Sequence, residues 1–342
     1  MTSTRALPNE LHVLIPFWGM AGGVIKILDY AHHAASGGVA QVTLWAPRMP
    51  EPDNMIHTLP VLSSLEEASN VSVRSLDDLR FDFNAEPWVL FTEPTHHALI
   101  ERAAHRPLGE RLIHLIQGTR HANPSWSDGR NYRLLHRPMS RIFVTDQVAE
   151  AVAPLVNRRF ITRSILEGHD GAYFAAGAPE RTTTRTVFRV LYPTWKGDLG
   201  DRVASVLADD PSFTFDAIRG DVGWPELRRR YHAADLFICA PGPEEGFYLP
   251  GLEAMAAGCA VVSASVGGNE SYLEEGHNVV HAAFDDADAH AQAIRRIAGD
   301  AELRRALISG GRATVELHRL DREREQFLNM LASLAEAPNS QG

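Results

Sequence analysis

Short apolar runs alternate with amphipathic stretches along most of this chain, and this alternation constrains the fold more than any other feature. The first cycle places a strand at Leu11–Phe17, a helix from about Gly23 to Ser36 and a strand at Gln41–Ala46. Consecutive strand–helix units build parallel sheets with helices on both faces. The pattern therefore predicts an α/β fold.

The alternation stops between Gly168 and Thr186, a segment rich in Gly, Ala and Thr that we interpret as a linker, and then starts again. A chain of 342 residues is also too long for one ordinary hydrophobic core. We therefore predict two Rossmann-like, doubly wound parallel-sheet domains that face each other across a cleft. The predicted domains are 1–167 and 168–320, followed at 321–342 by a C-terminal helix, which could pack back on the first domain, and a frayed tail.

The remaining predicted elements continue the alternation. Strands are predicted at 71–74, 88–92, 112–116, 141–145 and 160–165, and again at 187–192, 213–218, 236–239 and 260–263. Helices are predicted at 94–104, 147–155, 199–207, 225–233, 252–257, 285–297 and 301–334.

The composition argues against several classes of protein. A formal net charge of −10 argues against nucleic acid as the main partner, because phosphate backbones need a basic surface. The two cysteines, Cys239 and Cys259, rule out a disulfide framework and lack metal-ligand spacing. The N-terminus has no apolar run long enough for a signal peptide, and no stretch approaches the ~18 residues needed to span a bilayer. We expect a cytoplasmic protein without an integral membrane segment.

The strongest candidate site follows a predicted strand of the second domain. The run CAPGPEEGFYLPGLEAMAAG places Glu245 on a loop and Glu253 in the predicted first turn of the next helix. A carboxylate accepts two hydrogen bonds from a vicinal diol, so Glu253 suits a ribose and Glu245 suits sugar hydroxyls. The amides of Phe247, Tyr248 and Leu249 and the helix N-terminus can hold a diphosphate. Both glutamates could instead be solvated or stabilise the helix N-terminus.

A glycine-rich turn and a rare lysine are the other candidates. The turn PFWGMAGG contains Gly22 and Gly23, which let the backbone approach a diphosphate or sugar, although glycines used only for packing give the same pattern. Lys26 and Lys196 are the only lysines of the chain. Lys196 could stabilise charge on a leaving diphosphate, or simply begin a surface helix.

The run EEGFYLPGLEAMAAGCAVV resembles the paired-glutamate motif of glycosyltransferase family 4, which comprises group 1 retaining glycosyltransferases of the GT-B fold. Other similar segments, spread over residues 11 to 300, are HVLIPFWGMAGGV, SRIFVTDQVAEAV, ILEGHDGAYF, ELRRRYHAADLFICAP and VGGNESYLEEGHNVV. The resemblance implies these roles: Glu253 binds the donor ribose, Glu245 and Lys196 are the catalytic groups, Phe247 to Leu249 meet the diphosphate, and Gly22 and Gly23 face the same donor.

The chain departs from the family pattern at two places. The family's phosphate-binding arginine is missing before Lys196, and Arg202 and Arg219 are possible substitutes. Gln117 stands where many relatives have a histidine near the reacting sugar, and a glutamine can bind a hydroxyl but cannot act as a base. Gln117, His121 and Trp18 are candidate acceptor or sugar contacts, although a loop histidine such as His121 is more often solvated.

These features favour a retaining hexosyltransferase that takes its sugar from GDP-mannose or a UDP-sugar and transfers it to a saccharide or small-molecule acceptor. No Asp-X-Asp sequence follows a strand at a cleft, so we expect neither a metal nor a cofactor. Both a monomer and a homodimer are compatible with the sequence. The alternatives are a nucleotide-sugar-binding regulatory protein without turnover and a sugar-nucleotide epimerase or phosphorylase on the same scaffold.

Overall fold

The computed structural model describes residues 6–48, 51, 53–81, 87–157, 159–181 and 185–336. The chain divides into two compact units, one made of Met1–Leu166 with Asp321–Gly342 and the other of Glu167–Leu320. In the described part of the chain, no helix is long and apolar enough to cross a membrane. The tail at 337–342, which we expected to be frayed, lies outside the described residues.

The first unit is built on a seven-stranded parallel sheet. Its elements in chain order are β1 (Glu10–Leu14), α1 (Gly22–Gly37), β2 (Gln41–Ala46), α2 (Pro60–Glu67), β3 (Val71–Ser75), β4 (Trp88–Phe91), α3 (Pro94–Ala103), β5 (Leu112–Ile116), α4 (Arg130–Leu135), β6 (Ser140–Phe143), α5 (Asp146–Val152) and β7 (Thr162–Ser164). The strand order is β3-β2-β1-β4-β5-β6-β7. All five residues of the inner strand β5 are buried, whereas no residue of the edge strand β3 is, as expected for a sheet covered on both faces.

The second unit is built on a five-stranded parallel sheet. Its elements are α6 (Gly171–Ala175), β8 (Phe188–Pro193), α7 (Leu199–Val206), β9 (Phe213–Ile218), α8 (Trp224–Ala233), β10 (Leu236–Ile238), α9 (Leu249–Ala256), β11 (Ala260–Ser263), β12 (Val279–His281), α10 (Ala287–Gly299) and α11 (Ala301–Leu317). The strand order is β12-β11-β10-β8-β9. Apolar side chains of β8, β10 and β11 pack against α7, α10 and α11 in one core cluster.

The last helix of the chain, α12 (Leu320–Glu336), contacts the first unit. The Lys26 ammonium donates to the Glu323 carboxylate at 2.8 Å, and both side chains are buried. The rings of Tyr30 and Phe327 meet edge to face at 4.8 Å. One of the two lysines of the chain therefore holds α12 against α1.

Two predicted features are wrong. The segment at Gly168–Thr186 is not a plain linker, because it contains α6, which packs against α9. The predicted single helix at 301–334 is broken at His318, whose φ of −104° and ψ of 39° leave the helical region. At this break the His318 carbonyl oxygen accepts from the His169 N–H at 2.8 Å and the His318 ring pairs with the Glu167 carbonyl oxygen at 2.8 Å.

Candidate functional site

Lys196 and Glu245 meet at the carboxyl edge of the second unit's sheet. Lys196 lies in the loop after β8 and Glu245 in the loop after β10, and these two strands are neighbours. The ammonium contacts the carboxylate directly and also lies 5.3 Å from the centre of the Tyr248 ring. The side chains of Lys196 and Glu245 are 33% and 15% exposed, so a ligand at this edge can reach both charges. Loops at this edge are where α/β sheets bind ligands.

The backbone around Glu245 is fixed by close packing. The Gly268 N–H donates to the Glu245 carbonyl oxygen at 2.8 Å. A side chain at position 268 would place its Cβ 1.4 Å from the carbonyl oxygen of Gly246, so only glycine fits. On the other side, the Tyr272 hydroxyl donates to the Tyr248 carbonyl oxygen at 2.8 Å. These contacts fix the backbone of the loop that carries Glu245.

The predicted diphosphate contacts Phe247, Tyr248 and Leu249 lie where the loop becomes α9. All three residues are buried, so their side chains belong to the core of the second unit. The helix begins at Leu249, and the positive end of its dipole therefore lies at this loop.

Glu253 is neither solvated nor in the first turn of its helix. It is the fifth residue of α9 and is 3% exposed, because α9 begins three residues earlier than the sequence suggested. The Tyr231 hydroxyl donates to Oε2 at 2.8 Å, and His169 Nε2 lies 3.1 Å from Oε1. Burial and the nearby carboxylate raise the pKa of Tyr231 well above its usual range, so its hydroxyl stays protonated and donates.

Sequence reasoning missed three residues that support Glu253. Two of them, His169 and Arg181, lie in the segment interpreted as a linker. The third, Tyr231, lies in the last turn of α8. Arg181 donates to the carbonyl oxygens of Tyr231 and Ala257, among others, at 2.9 to 3.1 Å, and so joins the C-terminal ends of α8 and α9. These are contacts between distant segments, and no local periodicity signals them.

Arg202 and Arg219, the possible substitutes for the missing phosphate-binding arginine, both contact aspartates. Arg219 forms a two-point contact with Asp201 at 2.6 and 3.2 Å. Arg202 donates to Asp198 at 3.1 Å and contacts the Asp285 carboxylate. The second phosphate contact stays unassigned.

In the first unit, Gln117 lies against the glycine turn. Gly22 and Gly23 are the first residues of α1, and the Gln117 amide donates to the Gly23 carbonyl oxygen at 3.0 Å. A Cβ at position 23 would lie 2.5 Å from Gln117 Oε1, so a larger residue there would displace the Gln117 amide. That these glycines face the donor remains a prediction.

The other predicted acceptor contacts in the first unit are more enclosed than expected. The Trp18 indole donates to the Pro47 carbonyl oxygen at 3.0 Å. His121 is 5% exposed rather than solvated, and its ring lies 5.4 Å from that of Trp126. Burial and the nearby Arg120 lower the pKa of His121 to about 3. His121 is therefore neutral at physiological pH and could bind a hydroxyl only as an uncharged partner.

Residues 218–314 match the family model for Glycosyl transferases group 1. The matched segment lies entirely within the second unit. The matched segment includes Glu245 and Glu253, whereas Lys196 precedes it. A curated relative, spore coat protein SA of Bacillus subtilis (strain 168), is 31% identical over 84 residues, which is 24% of this chain and 22% of that protein. The match thus spans about a fifth of that relative's length.

Solved structures resemble nearly the whole chain. Sucrose-phosphate synthase from Thermosynechococcus elongatus has 16% identity and a TM-score of 0.70, with 96% of this chain and 100% of that chain covered. HepE from Anabaena in complex with UDP-glucose has 16% identity and a TM-score of 0.68, with 95% and 99% covered. Structural similarity at these low sequence identities shows only a shared fold. The predicted GT-B fold, with two parallel-sheet α/β domains, is confirmed.

Proposed function

We propose that this protein is a glycosyltransferase that transfers a hexosyl group from a nucleoside-diphosphate sugar to a hydroxyl of a saccharide or small-molecule acceptor. The observation that carries the proposal is the convergence of Lys196 and Glu245 at one sheet edge, where Glu253 follows in the next helix. The group 1 domain match at residues 218–314 gives independent support.

Each group of the site has a defined task in this proposal. Glu253 binds the ribose diol, and Glu245 orients the hydroxyls of the transferred sugar. The backbone of Phe247 to Leu249 and the N-terminus of α9 hold the diphosphate. Lys196 exchanges its contact with Glu245 for the diphosphate and stabilises the charge that develops on it.

We propose a retaining, metal-independent reaction. The bond between the sugar's anomeric carbon and the diphosphate oxygen breaks, and the acceptor oxygen bonds to the same face of that carbon. The acceptor's proton passes to the departing diphosphate, so no side chain has to act as the base. Gln117, which cannot be a base, is compatible with this route.

A uridine donor is the first choice to test, because HepE, which shares the fold, has been solved with UDP-glucose. GDP-mannose is the second choice. Thermal-shift measurements with UDP, GDP, ADP and dTDP separate these donors, because a ligand that prefers the folded state raises the melting temperature. A protein that responds to none of the four would contradict the proposal.

Product analysis tests the reaction itself. Incubation with the selected nucleotide sugar and a panel of saccharide acceptors, with EDTA present, should yield a new glycoside whose anomeric configuration by NMR matches the donor's. Free epimerised sugar or a sugar phosphate would identify an epimerase or phosphorylase instead. Donor binding without product would identify a nucleotide-sugar-binding regulatory protein, and loss of activity in EDTA would refute metal independence.

A further inference from the structure

Both carboxylate oxygens of Glu253 are held by side chains that the family resemblance does not assign. Tyr231 donates its hydroxyl to Oε2 at 2.8 Å, and His169 Nε2 lies 3.1 Å from Oε1. When Glu253 is ionised it can only accept, so Nε2 carries the hydrogen of this contact. The two donors come from different segments, the chain before α6 and the last turn of α8.

His169 is itself held in place. Its backbone N–H donates to the His318 carbonyl oxygen at 2.8 Å. Its ring stacks on Phe174 at 5.8 Å and meets Trp224 edge to face at 5.5 Å. In the described part of the chain, its buried Nδ1 has no hydrogen-bond partner. Of the polar atoms on this ring, only Nε2 is engaged, and it is engaged with Glu253.

The number of acceptor sites left on Glu253 matches a vicinal diol. A carboxylate offers about four lone-pair sites. His169 and Tyr231 occupy one on each oxygen, which leaves about two for the two hydroxyls of a ribose. The side chains of Glu253 and His169 are both almost completely buried.

We propose that His169, together with Tyr231, is a positioning residue that turns the free acceptor sites of Glu253 toward the ribose diol of the donor. This inference rests on the proposed function, in which Glu253 binds ribose. It assigns His169 a role in nucleotide recognition that it exerts through Glu253 rather than through a contact with the nucleotide.

The test compares nucleotides with and without the diol on matched variants. UDP and 2′,3′-dideoxy-UDP are titrated calorimetrically, with GDP and 2′,3′-dideoxy-GDP alongside. His169→Asn shortens the side chain so that its amide no longer reaches Glu253, and we expect UDP to bind about 10-fold more weakly, the usual scale for one hydrogen bond to a charged group. The dideoxy nucleotide should change by less than about 2-fold, because it makes no bond to Glu253.

His169→Gln is the rescue variant, because its amide can stand close to the position of Nε2. We expect it to bind UDP within about 3-fold of the unmodified protein. Tyr231→Phe should reproduce the selective loss of His169→Asn and serves as the second variant if His169→Asn does not fold. His232→Asn is the structural control, because the His232 ring contacts the carbonyl oxygen of Phe174, a neighbour of His169, at 2.7 Å.

If His169→Asn weakens the binding of UDP and of dideoxy-UDP equally, His169 has a merely structural role and the inference is overturned. Selective loss in Glu253→Gln but not in His169→Asn or Tyr231→Phe would also overturn it while leaving the proposed function intact. An unmodified protein that binds none of the four nucleotides would refute both.

Discussion

Lys26 and Lys196 have the same side chain in opposite surroundings. Lys196 is one-third exposed beside Glu245, whereas Lys26 is 1% exposed and pairs with Asp29 and Glu323 at 2.8 Å. A partly exposed ammonium can move to a ligand, while a buried one cannot leave its partners without a large desolvation penalty. The rarity of lysine drew attention to both residues, but only their burial separates a site residue from a structural one.

Replacing Lys196 should affect turnover and leave folding nearly unchanged. Removing one preorganised positive group from a charge-developing centre lowers kcat by about 100-fold, which we expect for Lys196→Ala. Because the Lys196 side chain is partly exposed, the free energy of unfolding of the variant should differ from that of the unmodified protein by less than about 0.5 kcal/mol. Steady-state kinetics and urea unfolding measure the two effects.

The matched control for this charge removal is Arg305→Ala, because Arg305 lies on the exposed face of α11 with a side chain that is 61% exposed. Its kinetics should equal those of the unmodified protein. If Lys196→Ala keeps normal kcat, or if both variants lose activity to the same degree, Lys196 has no specific role in the reaction.

At the scale of elements, the apolar runs predicted nearly every strand of both sheets, including β2, β5, β9 and β11 at the observed bounds. β2, β5 and β11 are almost entirely buried, so they consist of apolar runs that the sequence alone identifies. The short α6 has no such signal. It packs against α9, and Arg181 after it donates to carbonyl oxygens at the ends of α8 and α9. No local sequence pattern describes these contacts.

Arg181 should stabilise the second unit through these helix ends. Its guanidinium donates to four carbonyl oxygens, those of Tyr231, His232, Ala257 and Gly258. Arg181→Leu leaves these groups without their charged donor, and we expect a loss of about 2–3 kcal/mol in the free energy of unfolding. Arg295→Leu, whose side chain is 50% exposed and lies 3.8 Å from Asp210, should lose less than about 1 kcal/mol. Equal urea midpoints for the two variants would contradict this role.

Buried histidines near the carboxyl ends of β4 and β5 should make the first unit sensitive to acid. Burial lowers the pKa of His96 to about 4, and burial with Arg120 lowers that of His121 to about 3. In the unfolded chain the pKa of a histidine is about 6.5. Between that pH and the folded values, only the unfolded chain binds these protons, so stability is lost as the pH falls below about 6.5.

The variant His121→Phe tests this acid sensitivity, because phenylalanine does not titrate. Between about pH 6 and pH 4 its free energy of unfolding should fall less steeply than that of the unmodified protein, by about 1.4 kcal/mol per pH unit. Urea unfolding at several pH values gives the slopes. Parallel stability curves would show that His121 is not held neutral in the folded protein.

At the scale of the whole molecule, the first unit is made of two separate stretches of chain, because the final helix α12 completes it. The sequence predicted a C-terminal helix that could pack back on the first domain, but not the side chains that would hold it there. The partner is identified by a buried cluster in which Lys26 and His33 both reach Glu323 Oε2 at 2.8 Å. Burial alone would raise the pKa of Glu323, but Lys26 and His33 outweigh burial and lower it.

This cluster contains two carboxylates, Asp29 and Glu323, for one lysine. Removing the lysine and neutralising one carboxylate should therefore lower the stability by different amounts. Lys26→Met leaves both carboxylates buried without their ammonium and should cost about 3–5 kcal/mol of stability. Glu323→Gln keeps the shape of the side chain and leaves Lys26 paired with Asp29, so we expect a loss of only about 1–2 kcal/mol. Calorimetric melting of both variants measures the difference. A Glu323→Gln protein that melts at or below the temperature of Lys26→Met would show that the attachment of α12 does not depend on this charge balance.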